Sequence, residues 1–238
     1  ALQAMVFYAG AAPAPSSACM PTIAHTEVCE DRDFAEWHQG RPWCGVWVVR
    51  AEAPRVQALV QVARSALRSW LLPRYARQPH ITLAYRGLMP RDAADTQAEF
   101  GLPQLLADVQ ALQAAQLPPF AWQLQGVGSF STVPYLALSH SPALHIAHEA
   151  LMARMPYPGW HYVPHITLGH YGRRLPLAEA LQALQSSVPG GPLHAAQADA
   201  LWLARYRSSD IAGPLYFEGR FDLATQQYVA EPEAMLQP

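Results

Sequence analysis

Five residues, Pro79-His80-Ile81-Thr82-Leu83, occur a second time without change as Pro164-His165-Ile166-Thr167-Leu168. Ten histidines and seven threonines among 238 residues give roughly 0.3 His-x-Thr tripeptides by chance, so a single copy would say little. Two copies inside one identical frame mark an internal duplication, which restricts the chain to folds built from two like units.

The surroundings of the two copies repeat as well. Cys44 to Val49 is a compact apolar run bounded by Pro42 and Pro54, the signature of a buried strand. Val56, Leu59, Val60, Ala63, Leu67 and Leu71 then recur at helical spacing behind Pro54, which a helix tolerates in its first turn. The first motif follows as a strand, His80 to Tyr85, and Leu105, Leu106, Val109 and Leu112 mark a second amphipathic helix near Pro103. After a central strand at Phe120 to Val127 the order returns. It runs through a strand at Tyr135 to Ser139, a helix from Pro142 to Met155, the second motif as a strand at His165 to Gly169, and a helix carrying Leu177, Leu181, Leu184 and Val188 behind Pro176. Two late strands are expected, at about 198 to 206 and about 214 to 222.

Side chains two apart in a strand share a face, so each histidine shares one with its threonine while the isoleucine and leucine face the other way. The apolar pair anchors a core and the polar pair lines the opposite surface. Two such units around an approximate two-fold would bring both polar pairs to one cleft. A phosphodiester needs a base for the attacking oxygen, an acid for the leaving oxygen and donors for the phosphoryl oxygens. Two histidines, which titrate near neutrality, and two threonines supply that set without a metal or other cofactor. His80, His165, Thr82 and Thr167 are therefore the candidate catalytic residues. Two other readings stand beside this one. Each motif could fill only a polar sheet edge, and a zinc site could recruit His161, His170 or His194, although none has a recognised ligand spacing with either motif.

The basic residues are all arginine, sixteen with no lysine, and the net charge is −2. This gives no bulk cationic surface for long duplex nucleic acid and favours a nucleotide or an RNA end as the partner. Three cysteines, Cys19, Cys29 and Cys44, are too few for a disulfide framework and have no paired zinc spacing, which suits a reducing cytoplasm. No apolar stretch reaches about eighteen residues, so a membrane span is not expected, and nothing calls for a second copy of the chain.

The paired motifs, together with Gly126-Val127-Gly128-Ser129-Phe130 ahead of Tyr135-Leu136-Ala137-Leu138, make the chain similar to the 2H phosphoesterase superfamily. Within it, the chain resembles the bacterial 2′-5′ RNA ligases, or RNA 2′,3′-cyclic phosphodiesterases, from about Cys44 to Tyr206. The resemblance implies an α+β, bilobal duplicated fold with two antiparallel-rich sheets backed by helices around a central cleft. It also implies hydrolysis of 2′,3′-cyclic phosphates of nucleotides or RNA ends to 2′-phosphates, with 2′-5′ ligation as a related activity. The same resemblance implies the proton-donor part for His80 and the acceptor part for His165. A nucleotide-binding sensor of the same fold is the alternative from another class. A 2H hydrolase of RNA 3′ ends or of 2′-5′ oligoadenylate is the alternative within the family.

The expected organisation is an N-terminal extension over 1–42, a two-lobed domain over 43–230 and a tail over 231–238. Tyr171 shares the alternation phase of His165 and Thr167 if the strand runs that far, and Phe130 follows a glycine-flanked turn. Both are candidates to contact the base of a substrate. Tyr85 has the opposite phase from His80 and is assigned to the core. Arg86, Arg173, Arg205 and Arg207 lie close enough to the strands to be phosphate candidates, with a solvated surface role the plainer expectation for each.

Overall fold

A computed structural model of the chain describes residues 12–13, 24–92, 94–153 and 160–238. A short helix, α1 (Ala35–His38), precedes strand β2 (Trp43–Arg50), helix α2 (Pro54–Ala66), strand β3 (His80–Leu88) and helix α3 (Leu102–Ala115). Strands β4 (Phe120–Ser129) and β5 (Pro134–Leu138), helix α4 (Pro142–Met152), strand β7 (His165–Thr167) and helix α5 (Leu177–Ser187) complete the second unit. Strands β8 (His194–Ala198), β9 (Ala200–Arg207), β10 (Tyr216–Asp222) and β11 (Gln227–Ala230) close the chain. Strands β1 (Ala12–Pro13) and β6 (Trp160–His161) form a small pair of their own. The apolar run Met5 to Tyr8, Cys19 and the expected helix end at Met155 lie outside the described residues.

Three helices begin as the prolines require, with Pro54, Pro103 and Pro142 in the first turn, where a missing N–H costs nothing. The duplication becomes two antiparallel sheets. One is ordered β11-β10-β9-β2-β3 and the other β7-β5-β4-β8, so each motif strand lies at the edge of its sheet. The fold is α+β, with one apolar core shared by both sheets and the helices. Ile81 and Leu83 of the first motif and Ile166 and Leu168 of the second all point into it. This shared core holds β3 beside β7. The Leu236 side chain, in the expected tail, is buried in the same core.

Helix α2 stops at Ala66, short of Leu71, because the backbone of 70–72 is used elsewhere. Leu72 N–H donates to the His170 carbonyl at 2.8 Å, and Gly172 N–H donates to the Trp70 carbonyl at 2.8 Å. A second departure is a bulge in the β2–β3 ladder, where Val48 pairs with Thr82 but Trp47 pairs with Ala84. A bulge resets the alternation beyond it. Tyr85 is buried, as its apolar ring demands, but on the sheet face opposite to the one its phase implied, in a smaller cluster with Cys44, Val46, Val48 and Tyr206.

Behind the first motif strand, Arg86 is buried and donates to the Asp108 carboxylate of α3 at 2.7 Å and to the Leu151 carbonyl of α4 at 3.1 Å. Trp47 Nε1–H donates to the other Asp108 oxygen at 2.8 Å. The expected surface role for Arg86 is therefore wrong. Its charge is neutralised inside the protein and knits β2, β3, α3 and α4 together. Removing one partner strands a buried charge, so Asp108→Ala should lower unfolding free energy by about 3–5 kcal/mol, whereas Asp108→Leu with Arg86→Met should recover most of it. Urea titrations of the two variants beside the wild type check this.

Candidate active site

The two motif histidines are held in the same way. Nδ1 of His80 donates to the Gln78 carbonyl at 2.7 Å, and Nδ1 of His165 donates to the Val163 carbonyl at 2.7 Å. A carbonyl only accepts, so both rings carry the proton on Nδ1, and each Nε2 is left as an acceptor or proton carrier. Both side chains are 7% exposed. The strands that carry them, β3 and β7, are in contact. Thr82 and Thr167 are half-buried, and among the described residues neither hydroxyl has a protein partner. The structure thus brings together the four residues named from the sequence, on facing edges of two sheets.

An edge strand leaves backbone groups unpaired. Here the edge of β3 is closed by side chains of the second unit. Tyr162 O–H donates to the Thr82 carbonyl at 2.9 Å, and Nδ1 of His148 donates to the Leu83 carbonyl at 2.6 Å. The His148 and Tyr162 rings stack at 4.0 Å, 4° from parallel, so each braces the other. This clamp was not visible in the sequence, because nothing local links Tyr162 or His148 to residue 82.

The two histidines differ in their surroundings. Phe130 stands edge-on to His165 at 5.1 Å, and Tyr135 lies beside the same ring at 5.1 Å. Tyr135 pairs in register with Thr167 on one side and Gly128 on the other, and a Cβ on Gly128 would meet the Tyr135 ring at 2.5 Å. Glycine at 128 is what lets that ring lie flat across β4. Phe130 is therefore at the site, and Tyr135 joins it. The alternating phase of β5 relative to Thr167 was a signal that could have found Tyr135.

Beside His80 stands Arg77, which donates to the Ile211 carbonyl at 2.6 Å and lies 4.1 Å over the Tyr206 ring. Burial first, and the Arg77 charge second, push the His80 pKa down to about 3. Burial also lowers that of His165.

Tyr171 is a correction. The second motif strand ends at Thr167, and Gly169, at φ +149°, turns the chain out of the alternation. The Tyr171 ring enters the core at 0% exposure, with its hydroxyl 2.8 Å from Ser129 Oγ, so it has no face free for a base. Of the arginines, Arg205 is half-buried against the Glu218 carboxylate and Arg207 lies over Trp43 at 4.7 Å, while Arg173 is exposed. None of the three is brought to the histidines by any contact in the structure. Among the described residues no group of three or more His, Cys, Asp and Glu side chains gathers as a metal site would. Nor is any helix among them long and apolar enough to cross a membrane.

The family model of the 2′-5′ RNA ligase superfamily matches residues 50–210, a span that contains both motif strands. The chain belongs to that superfamily, the 2H phosphoesterases. Among solved structures, E. coli LigT complexed with ATP is similar, with 18% identity and a TM-score of 0.47, covering 77% of this chain and 99% of LigT. Usb1 of Kluyveromyces marxianus gives 9% identity and a TM-score of 0.44, covering 74% of this chain and 97% of its own. No curated protein is matched by sequence.

Two outcomes are expected of this candidate site. Tyr162→Phe removes a donor from the Thr82 carbonyl and should cost about 1 kcal/mol in a denaturant titration. The pKa values of His80, His148, His165 and His170 all lie below the ordinary histidine value near 6.5, with His170 at about 4. The unfolded chain then binds more protons than the folded one as pH falls below about 6.5, so the stabilisation present above that pH is lost on acidification. At pH 5 His80 alone should account for about 2 kcal/mol. Urea midpoints at pH 7.5 and pH 5 measure the drop, which His80→Asn should reduce.

Proposed function

We propose that this chain is a metal-independent phosphodiesterase that hydrolyses the 2′,3′-cyclic phosphate of nucleotides or RNA ends to a 2′-phosphate, with 2′-5′ ligation, in which a 5′-hydroxyl takes the place of water, as a related reaction. The observation that carries the reading is the pair of histidines bonded alike through Nδ1 to their own backbone, each sharing a strand face with a threonine whose hydroxyl has no protein partner among the described residues.

In the proposed reaction water attacks phosphorus from the side opposite the 3′ oxygen. A new P–O bond forms as the bond to the 3′ oxygen breaks. The water proton passes to Nε2 of one neutral histidine, and the other histidine, protonated, gives its Nε2 proton to the departing 3′ oxygen. The products are a 2′-phosphate and a free 3′-hydroxyl. Thr82 and Thr167 donate to the non-bridging oxygens as charge accumulates there. An anionic phosphodiester between the rings supplies the counter-charge that burial withholds, so one imidazole becomes charged only with substrate in place.

The family resemblance gives the donor role to His80. The Arg77 charge, which weighs on His80 and has no counterpart among the causes acting on His165, favours the opposite assignment. The reading includes a reducing, cytoplasmic setting, supported by Cys29 and Cys44 as free thiols.

Turnover of adenosine 2′,3′-cyclic phosphate in the presence of a chelator tests the reaction. His80→Ala or His165→Ala should cost about 10²–10⁴ in rate, with a smaller effect on nucleotide binding. The wild-type kcat/KM should be bell-shaped in pH, its limbs belonging to the coupled pair. The single variant that keeps the acidic limb has lost the proton donor, which decides the assignment. Activity that vanishes with chelator and returns with zinc or manganese contradicts the proposal.

A further inference from the structure

The catalytic face of the larger sheet continues well beyond His80. Residues paired across a ladder share a face, as do residues two apart on a strand. His80 pairs with Arg50, and Val48, two before Arg50, pairs with Trp202. Phe217 pairs with Ala204, two beyond Trp202. Arg50, Trp202 and Phe217 therefore lie on the same face as His80 and Thr82, stepping outward across β2, β9 and β10.

These side chains form an assembled surface. The Trp202 and Phe217 rings meet edge to face at 5.3 Å, and the Arg50 guanidinium caps both, 5.0 Å from one centroid and 4.5 Å from the other. They line a pocket of about 390 Å³ whose remaining wall is Glu231, Pro232 and Glu233. Both rings are half-buried, whereas Tyr85 and Tyr206 further along this face are fully covered. With strands about 4.8 Å apart, the pocket lies roughly 10–14 Å from the strand of His80, the reach of one nucleotide beyond the reacting phosphate.

The chemistry of the lining selects the occupant. A half-buried aromatic pair and the guanidinium plane over it stack an unpaired base whatever its identity. Carboxylates at the rim accept from exocyclic amino groups and repel phosphate, so a base enters and the backbone stays outside. A duplex would keep its bases stacked on each other and offer none.

We infer that the Trp202–Phe217–Arg50 pocket is a base-binding subsite that takes the nucleobase next to the reacting nucleotide, which makes single-stranded RNA ends, and not free cyclic mononucleotides, the preferred substrate. This inference rests on the phosphodiesterase reading above and names its substrate class. The aromatic pair Phe130 and Tyr135 beside His165 then serves the other side of the reacting phosphate.

Two measurements on the full chain test the subsite. The first compares kcat/KM for adenosine 2′,3′-cyclic phosphate with that for a tetraribonucleotide ending in a 2′,3′-cyclic phosphate. The second measures, by fluorescence anisotropy, binding of a labelled single-stranded tetraribonucleotide with a 3′-phosphate. Wild type should prefer the tetranucleotide. Trp202→Ala should erase that preference and weaken tetranucleotide binding by about ten-fold or more, the order of one lost base–aromatic stack, while mononucleotide turnover stays within two-fold, roughly. Trp202→Phe should retain most of the preference. Should Trp202→Ala fail to fold, Arg50→Ala, an exposed residue, carries the same comparison. Equal wild-type kcat/KM on both substrates, or a variant that loses both equally, overturns the subsite while leaving the phosphodiesterase reading in place. Tetranucleotide binding that depends on Trp202 without turnover of either substrate overturns the phosphodiesterase reading and leaves the subsite standing.

Discussion

The unpaired edge of β3 is the constraint on which the site depends. A strand carrying His80 and Thr82 must lie at a sheet margin to face a second sheet, yet a bare edge exposes carbonyls and invites foreign strands. Tyr162 and His148, reaching over from the second unit, take the Thr82 and Leu83 carbonyls and stack on each other. The edge is closed without a further strand between the motifs, which would have filled the space a phosphodiester needs. The shared core beneath, with Ile81 and Leu83 meeting Ile166 and Leu168, fixes the other side of the same relation.

Within that frame each histidine is oriented by its own backbone. The bond from Nδ1 to the carbonyl two residues earlier needs only the extended chain before the motif, and proline at 79 and at 164 supports such a conformation. Because the clamp is local, duplication copied it intact. The surroundings then diverged, with a cation beside His80 and two aromatic rings beside His165. A nearly symmetric pair thereby gains different surroundings, the kind of asymmetry from which an acid and a base are made.

Much of this was legible in the sequence because it depends on period and repetition. Strand phase placed the His-Thr pair on one face and Ile81 and Leu83 on the other, and the prolines placed the helix starts. What escaped was non-local. Tyr171 kept its phase on paper, but Gly169 turns the chain before it. Tyr85 changed faces at a bulge that only the partner strand reveals. Arg86 has the pattern of a surface charge, but Asp108, far along the chain on helix α3, pairs with it in the interior. Strands β8 and β11 carry too little hydrophobic alternation to announce themselves and are recruited by neighbours already in place.

The central claim is that two neutral imidazoles, each protonated at Nδ1, hold their Nε2 atoms ready for one phosphate. Nitrogen-15 NMR of the histidine rings tests this directly. At pH 7 His80 and His165 should both show the Nδ1–H tautomer with an unprotonated Nε2, and added adenosine 2′-phosphate should protonate Nε2 of one of them. Finding either free ring as the Nε2–H tautomer, or seeing no change at either ring on adding the nucleotide, would contradict the account.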